Sequence, residues 1–379
     1  MPENRTRQKP PELNFNKAPY LVLWELTRAC ALACKHCRAK AMRRRVADEL
    51  TQAEISSVLN ELEELGHPLI VFTGGDPSQR PDLLELIAEA RRRDFSVAIT
   101  PSATPAMSET LVAKLKAHGV ARLAISLDGP DAQTHDSFRG VSGSYQITQN
   151  IIEWANRCDL PVQINSTISR FNLEQFSQTA SLVANSAAVL WSVFFLVPTG
   201  RANNNMQISP DEAESVLKQM AQLASSGNLD IKATAAPHFR RVLIEKMQQS
   251  PDRWLAPGLS PHMRLGALRS YQSVNDGKGI MFISHTGEVY PSGFLPLSAG
   301  NVRNESVGNI YQNSPLFRQL RDPGLLKGKC GKCRYKTICG GSRARAFAES
   351  GDYLNEDTLC LFDERTAARE HESAVGTIG

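Results

Sequence analysis

The stretch "YLVLWELTRACALACKHC", residues 20–37, decides how the chain is read: an apolar run passes directly into three cysteines spaced C-x-x-x-C-x-x-C. The run has the length and composition of a strand buried on both faces. Five more such runs follow before Ala202: "LIVFTGGD", "FSVAITPS", "RLAISLDG", "PVQINSTI" and "VLWSVFFLVPTG". Amphipathic helical stretches separate them. Thr51 and Glu54 form a capping-box pattern ahead of Ile55, Val58, Leu59, Leu62 and Leu65 at helical spacing, with a stop at Gly66. Ser108 and Gly119 bracket another helix around "ETLVAKL". Strands alternating with helices in this way predict an α/β fold with a parallel sheet, either doubly wound or a closed or partial barrel.

The totals are those of an ordinary globular protein. The 379 residues carry 43 Lys and Arg against 39 Asp and Glu, and 41% of them are hydrophobic. The basic runs Arg43–Arg45 and Arg91–Arg93 are short and isolated, so they read as solvated faces and not as a nucleic-acid stripe. No signal-peptide core and no membrane-length apolar run is present. A cytoplasmic protein is expected, whose thiols stay reduced and serve as metal ligands.

Seven of the eight cysteines fall into two groups: Cys30, Cys34 and Cys37, then Cys330, Cys333, Cys339 and Cys360. The first group follows the first strand, at the carboxyl edge where ligand sites of α/β folds collect. Three thiolates can hold three corners of a four-iron four-sulfur cubane and leave one iron open to a bidentate small molecule. Structural zinc is the alternative, although nothing nearby supplies a fourth ligand. Cys158 stands apart in a helical stretch and reads as an inert buried thiol.

On these residues the chain resembles the radical S-adenosylmethionine superfamily. The resemblance implies a partial (β/α)6 TIM-like barrel in which Cys30, Cys34 and Cys37 hold a 4Fe-4S cluster and S-adenosylmethionine completes its ligation. "FTGGDP" looks like the family's Gly-Gly-Glu segment, with Gly74, Gly75 and Asp76 at the methionine amino group. The glycines are expected to let the strand end approach the ligand closely. In "SLDGPDAQTHDSFRG" the resemblance gives Ser126, Asp128 and Arg139 to the ribose or carboxylate. The resemblance further implies that Asn165 and Thr167, on one strand face, line the ribose site, that Val197 in "FLVPTG" borders the adenine, and that His36 stacks beside it.

The second group, "CGKCRYKTICGGS" followed by Cys360, resembles the cysteine-rich tail of SPASM and twitch members. Four thiolates make a closed set, implying one auxiliary 4Fe-4S cluster used in electron transfer. Ser292 and Ser342 stand where fuller members carry cysteines, and zinc again is the alternative.

The expected organisation is an N-terminal extension (1–19), a core barrel (20–205), a helical connection (206–279), an auxiliary-cluster domain (280–365) and a flexible tail (366–379). The resemblance implies a radical oxidoreductase supplied by an electron donor such as flavodoxin or ferredoxin, acting on a ribosomal peptide or a tetrapyrrole-like precursor. His238, with Arg240 and Arg241, is a candidate to meet propionates or a metal, the alternative being a helix N-terminus with a solvated basic face. The rival reading is a non-enzymatic iron-sulfur or zinc redox sensor, which has no need of Gly74, Gly75, Asp76 and Arg139 at strand ends.

Overall fold

The computed structural model describes residues 14–226, 229–249 and 273–364. The expected tail at 366–379 and most of the N-terminal extension lie outside the described residues. The six apolar runs form strands β1 (Leu21–Glu25), β2 (Leu69–Thr73), β3 (Val97–Ile99), β4 (Arg122–Ser126), β5 (Val162–Ile168) and β6 (Leu190–Phe195). Each pairs in parallel with the next, Leu23 lying opposite Val71 and Ile125 opposite Ile164. Trp24, Phe72, Ile99, Ile125 and Trp191 are buried, as strands covered on both faces require.

Helices α1 (Gln52–Glu64), α2 (Leu83–Arg92), α3 (Glu109–Ala117), α4 (Ala132–Arg139), α5 (Ser144–Arg157) and α6 (Phe176–Ala184) make the crossovers. The capping box of α1 is formed, and its Ile55, Val58, Leu59 and Leu62 are buried. Ser108 caps α3 by accepting from the Leu111 N–H.

The sheet does not stop near residue 205. After α7 (Pro210–Ser226) a seventh parallel strand, β7 (Asp230–Thr234), adds to β6 before α8 (Phe239–Gln249). It escaped the sequence reading because five residues carrying Asp230 and Lys232 show no apolar run. The expected hairpin is present as β8 (Ile280–Ile283), β9 (Glu288–Tyr290) and β10 (Gly300–Asn301), and β8 pairs in parallel with β1. One ten-stranded sheet results, ordered β10-β9-β8-β1-β2-β3-β4-β5-β6-β7. It is a partial barrel of mostly parallel strands with a cysteine-rich extension, in which α9 (Val307–Asn313), α10 (Pro315–Arg321), α11 (Gly328–Lys332) and α12 (Arg343–Ser350) follow the hairpin.

Candidate functional site

The loop after β1 is clamped by backbone contacts with the segments that follow β2 and β6 and with the end of α4. Gly75 N–H donates to Thr27 O at 2.7 Å, Asp76 N–H to Ala29 O at 2.8 Å, Ala33 N–H to Arg139 O at 3.1 Å and Arg201 N–H to Cys37 O at 3.0 Å. Glycine permits this closeness. A Cβ on Gly75 would sit 2.6 Å from the Arg28 and Ala29 carbonyl oxygens, and one on Gly200 would sit 2.4 Å from those of Cys37 and Arg38. The Gly74-Gly75 pair is therefore required by the cysteine loop itself, which corrects the expected reason: the Cα hydrogens face protein backbone, and the remaining side of the strand end faces the cavity.

The clamped loop has two faces. Cys30, Leu32, Cys34, His36 and Cys37 line a cavity at the carboxyl ends of the strands, while Ala33 and Lys35 point out to solvent. Gly74, Gly75, Ser126, Arg139, Asn165, Thr167 and Val197 line the same cavity. Asn165 and Thr167 share a face of β5, whose burial alternates residue by residue. Nearly all the residues expected at the cofactor are thus brought together.

The two expected acids stand behind the wall. Asp76 is fully buried and accepts from Ser78 N–H and Oγ–H at 3.1 and 2.7 Å, Ser102 N–H at 3.3 Å and Thr104 Oγ1–H at 3.1 Å. Asp128 accepts from Arg139 Nε–H at 2.6 Å, pairs with Arg139 Nη2, and accepts from Thr167 N–H at 2.7 Å. Burial would raise the Asp128 carboxyl, but the Arg139 guanidinium outweighs it and holds the group below its ordinary value. Their carboxylates position strand ends and Arg139 instead of facing the cavity.

The sulfurs are provided with N–H donors. Leu32 N–H reaches Cys30 Sγ at 3.3 Å, Ala41 N–H reaches Cys37 Sγ at 3.4 Å and Arg139 Nη1–H reaches Cys34 Sγ at 3.7 Å. Burial pushes the Cys30 and Cys34 thiols up, a cost that a bound cation reverses. Donors aimed at sulfur, an open cavity side and backbone at the Gly pair fit an iron-sulfur cluster carrying a small-molecule ligand. His36 stacks on Phe138 with ring centroids 4.1 Å apart, and burial lowers its pKa to about 3, so it is a neutral stacking group.

The sequence reading missed Ser102, Arg38 and Arg201, which also line the cavity. Ser102 Oγ lies 3.3 Å from Cys30 Sγ and donates to Gly75 O at 2.9 Å. Its position just past β3 was the available signal. Arg38 pairs with buried Glu25 at 3.1 Å, and Glu25 in turn lies 2.8 Å from His285 on the β8–β9 turn.

The second cysteine group lines a separate cleft. Cys330, Cys333, Cys339 and Cys360 meet there with Gly340, Gly341 and Phe362. Asp357 N–H reaches Cys330 Sγ at 3.4 Å, Tyr335 N–H reaches Cys333 Sγ at 3.3 Å and Gly341 N–H reaches Cys339 Sγ at 3.4 Å. Burial pushes the Cys339 thiol far up and that of Cys360 to about 12, a cost that a bound cation would offset. Ser342 caps α12 and Ser292 accepts from Phe294 N–H, each filling a structural position.

A buried clasp joins this cleft to the barrel. Asp357, whose N–H serves Cys330, pairs through Oδ1 with Arg345 at 3.4 Å, and Arg345 donates to Phe195 O at 3.0 Å and Leu196 O at 3.1 Å. His238, expected as a propionate contact, is buried with Nδ1 3.6 Å from Asp357. Arg240 donates to Ile338 O at 2.9 Å and to Val274 O, and Arg241 pairs with Glu214 and with Glu245 at 2.8 Å. None of the three lines the cavity: Arg240 and Arg241 are committed to holding the fold, which corrects the expectation for them, while both ring nitrogens of His238 are buried without a hydrogen bond. Cys158, expected to be buried, is half-buried: its Sγ donates to Ala155 O at 3.4 Å and packs against the core.

Comparison with known proteins agrees with this geometry. Residues 24–183 match the Radical SAM superfamily, and residues 275–334 match the SPASM iron-sulfur cluster-binding domain. The chain is 39% identical over 348 residues to the AdoMet-dependent heme synthase of Methanosarcina barkeri (strain Fusaro), covering 92% of this chain and 98% of that one. It is 40% identical over 352 residues to the AdoMet-dependent heme synthase of Nitratidesulfovibrio vulgaris, covering 91% and 93%. In fold it matches Streptococcus suis SuiB, solved with bound S-adenosylmethionine, at a TM-score of 0.69 and 15% identity over 91% of this chain and 78% of SuiB.

Proposed function

The chain belongs to the radical SAM superfamily and carries its SPASM iron-sulfur cluster-binding domain, and from that premise we propose that it oxidises side chains of a tetrapyrrole in the making of haem. It is an enzyme acting on a tetrapyrrole or a peptide, with S-adenosylmethionine and iron-sulfur clusters as cofactors, so the redox-sensor reading is set aside. Among the described residues no helix is long and apolar enough to cross a membrane. A cytoplasmic location is part of the proposal.

The tetrapyrrole is favoured over the peptide chiefly by near-full-length identity of 39% and 40% to two haem synthases. A second support is charge at the cavity. Arg201 is exposed, lines it, and has no ion-pair partner among the described residues, as a substrate bearing carboxylates requires. The reading assigns residues 20–205 to the core, 206–279 to a connection that includes β7, and 280–365 to the auxiliary-cluster domain.

When bound, the cofactors supply reductive cleavage of S-adenosylmethionine and removal of a hydrogen atom from the substrate. Cys30, Cys34 and Cys37 would hold the cleaving cluster, and Cys330, Cys333, Cys339 and Cys360 a single auxiliary cluster that accepts an electron. Backbone at Gly74 and Gly75 would meet the methionine end. Arg139, fixed by Asp128, would meet the carboxylate, with Ser126, Asn165 and Thr167 at the ribose and His36 and Val197 at the adenine. Asp76 and Asp128 act through the groups they position.

The test is an anaerobic incubation of reconstituted protein with dithionite, S-adenosylmethionine and an iron tetrapyrrole bearing propionate side chains, followed by mass spectrometry. The expected product has lost CO2 and two hydrogens from a propionate. An unchanged tetrapyrrole, with 5'-deoxyadenosine still formed, would transfer the substrate role to a peptide.

A further inference from the structure

Several guanidiniums surround the second cysteine cleft, and carboxylates neutralise most of them. Arg345 pairs with Asp357, Arg241 with Glu214 and Glu245, and Arg334 with Glu364. Arg343 and Arg240 have no ion-pair partner among the described residues. Arg343 is 1% exposed, and its N–H groups go to neutral carbonyls: Nε–H to Gly341 O at 3.2 Å, Nη1–H to Tyr353 O at 2.9 Å and to Asn355 O at 2.6 Å. Asp352, a carboxylate that feels its charge, is taken by Lys327 at 2.6 Å. Arg240, half-buried, likewise donates to Ile338 O at 2.9 Å and to Val274 O.

The charge left over is aimed at sulfur. Arg343 Nη2–H reaches Cys330 Sγ at 3.7 Å. Gly341, at φ +64°, makes the room: a Cβ there would sit 2.5 Å from Arg343 Nη2 and 2.9 Å from Cys330 Sγ. The Ile338 carbonyl that takes Arg240 directly precedes Cys339, and Cys339 is the thiol whose charge Arg240 feels. A buried cation without an anion is destabilising, so a fold that keeps one is built for an anion beside it. A 4Fe-4S core held by four thiolates is such an anion, and it takes on one more negative charge when reduced. The first site differs. There the guanidinium that reaches a cysteine sulfur, Arg139 at 3.7 Å from Cys34 Sγ, is balanced by Asp128. A cation that faces only the cluster favours its reduced form.

We propose that Arg343, together with Arg240, raises the reduction potential of the auxiliary cluster. The inference rests on the reading that Cys330, Cys333, Cys339 and Cys360 hold a 4Fe-4S cluster. In the proposed reaction the substrate radical left by hydrogen removal loses CO2 and one electron as its carbon–carbon double bond forms, and that electron reduces the auxiliary cluster. A higher potential there makes the transfer more complete. Neither arginine lines the cavity, so both act through the cluster they face and not through the substrate.

The test is a redox titration, followed by electron paramagnetic resonance, of the whole chain in a Cys30→Ala/Cys34→Ala/Cys37→Ala parent, where only the auxiliary cluster takes up an electron. Arg343→Gln should hold that electron about tenfold more weakly, a shift of ~59 mV to lower potential. Arg240→Gln should shift the potential in the same direction, and Arg343→Lys, which keeps the charge, should restore most of the loss. Iron should stay at about four per chain throughout. Lys114→Gln, exposed on α3 and absent from the cleft, controls for the lost charge and should leave the potential unchanged. Potentials of Arg343→Gln and Arg240→Gln equal to that of the parent overturn the proposal. If Arg343→Gln does not retain iron, Arg240→Gln decides in the same way. Zinc in place of iron in the parent would instead overturn the ligand reading beneath it.

Discussion

Asp128 shows how one buried group orders a site it does not enter. Its carboxylate takes the Arg139 guanidinium on one side and the Thr167 N–H on the other, fixing two cavity-lining residues from behind. Because its folded pKa is depressed below 3.8, the stability it contributes is present in full above that value and is lost only as the pH falls through the folded pKa. Asp128→Asn leaves Arg139 as a nearly buried, uncompensated charge and should cost about 3–5 kcal/mol. Denaturant unfolding of both proteins should give the same gap at every pH from about 5 to 8. A gap that shrinks as the pH falls across that window would mean the carboxyl titrates near neutrality and the pair is not what holds it. At this scale the cysteines were legible because their spacing is the chemistry. Asp128 was legible as a site residue, but its place behind Arg139 was not, since that depends on how α4 meets β4 and β5.

The elements divide along the same line. β1 to β6 could be read from sequence because burial on both faces demands unbroken apolar runs, and α1 because its caps are local. β7 could not, since Asp230 and Lys232 leave its five residues without an apolar run, even though Asp230 is buried in the fold. The parallel pairing of β8 with β1 was equally hidden, because the partners are separated by more than 250 residues and only the assembled sheet brings them together. The cysteine-rich extension is the element with the least core of its own, so its ligands should govern it. Cys360→Ala should lower iron from about eight to about four per chain, with some S-adenosylmethionine cleavage retained and substrate turnover reduced much further. Four irons with one zinc in the wild-type protein would make the tail a zinc site.

Across the whole molecule, two buried networks join the sites that the chain order separates. Glu25, at the end of β1, ties Arg38 of the cysteine loop to His285 of the β8–β9 turn. Arg345 ties Asp357, beside Cys330, to the carbonyls of Phe195 and Leu196 at the cavity wall. Sequence could not reveal either, because a single Glu or Arg among many has no pattern until the fold gives it partners. The second cysteine cleft is thereby held in fixed relation to the cavity lined by the first three cysteines. All of this turns on the first three cysteines. The most direct measurement is 5'-deoxyadenosine formed from S-adenosylmethionine and dithionite by anaerobically reconstituted wild-type protein and by the Cys30→Ala/Cys34→Ala/Cys37→Ala variant. The account predicts formation by the first and none by the second, with the auxiliary iron retained. Continued formation by the triple variant would contradict it.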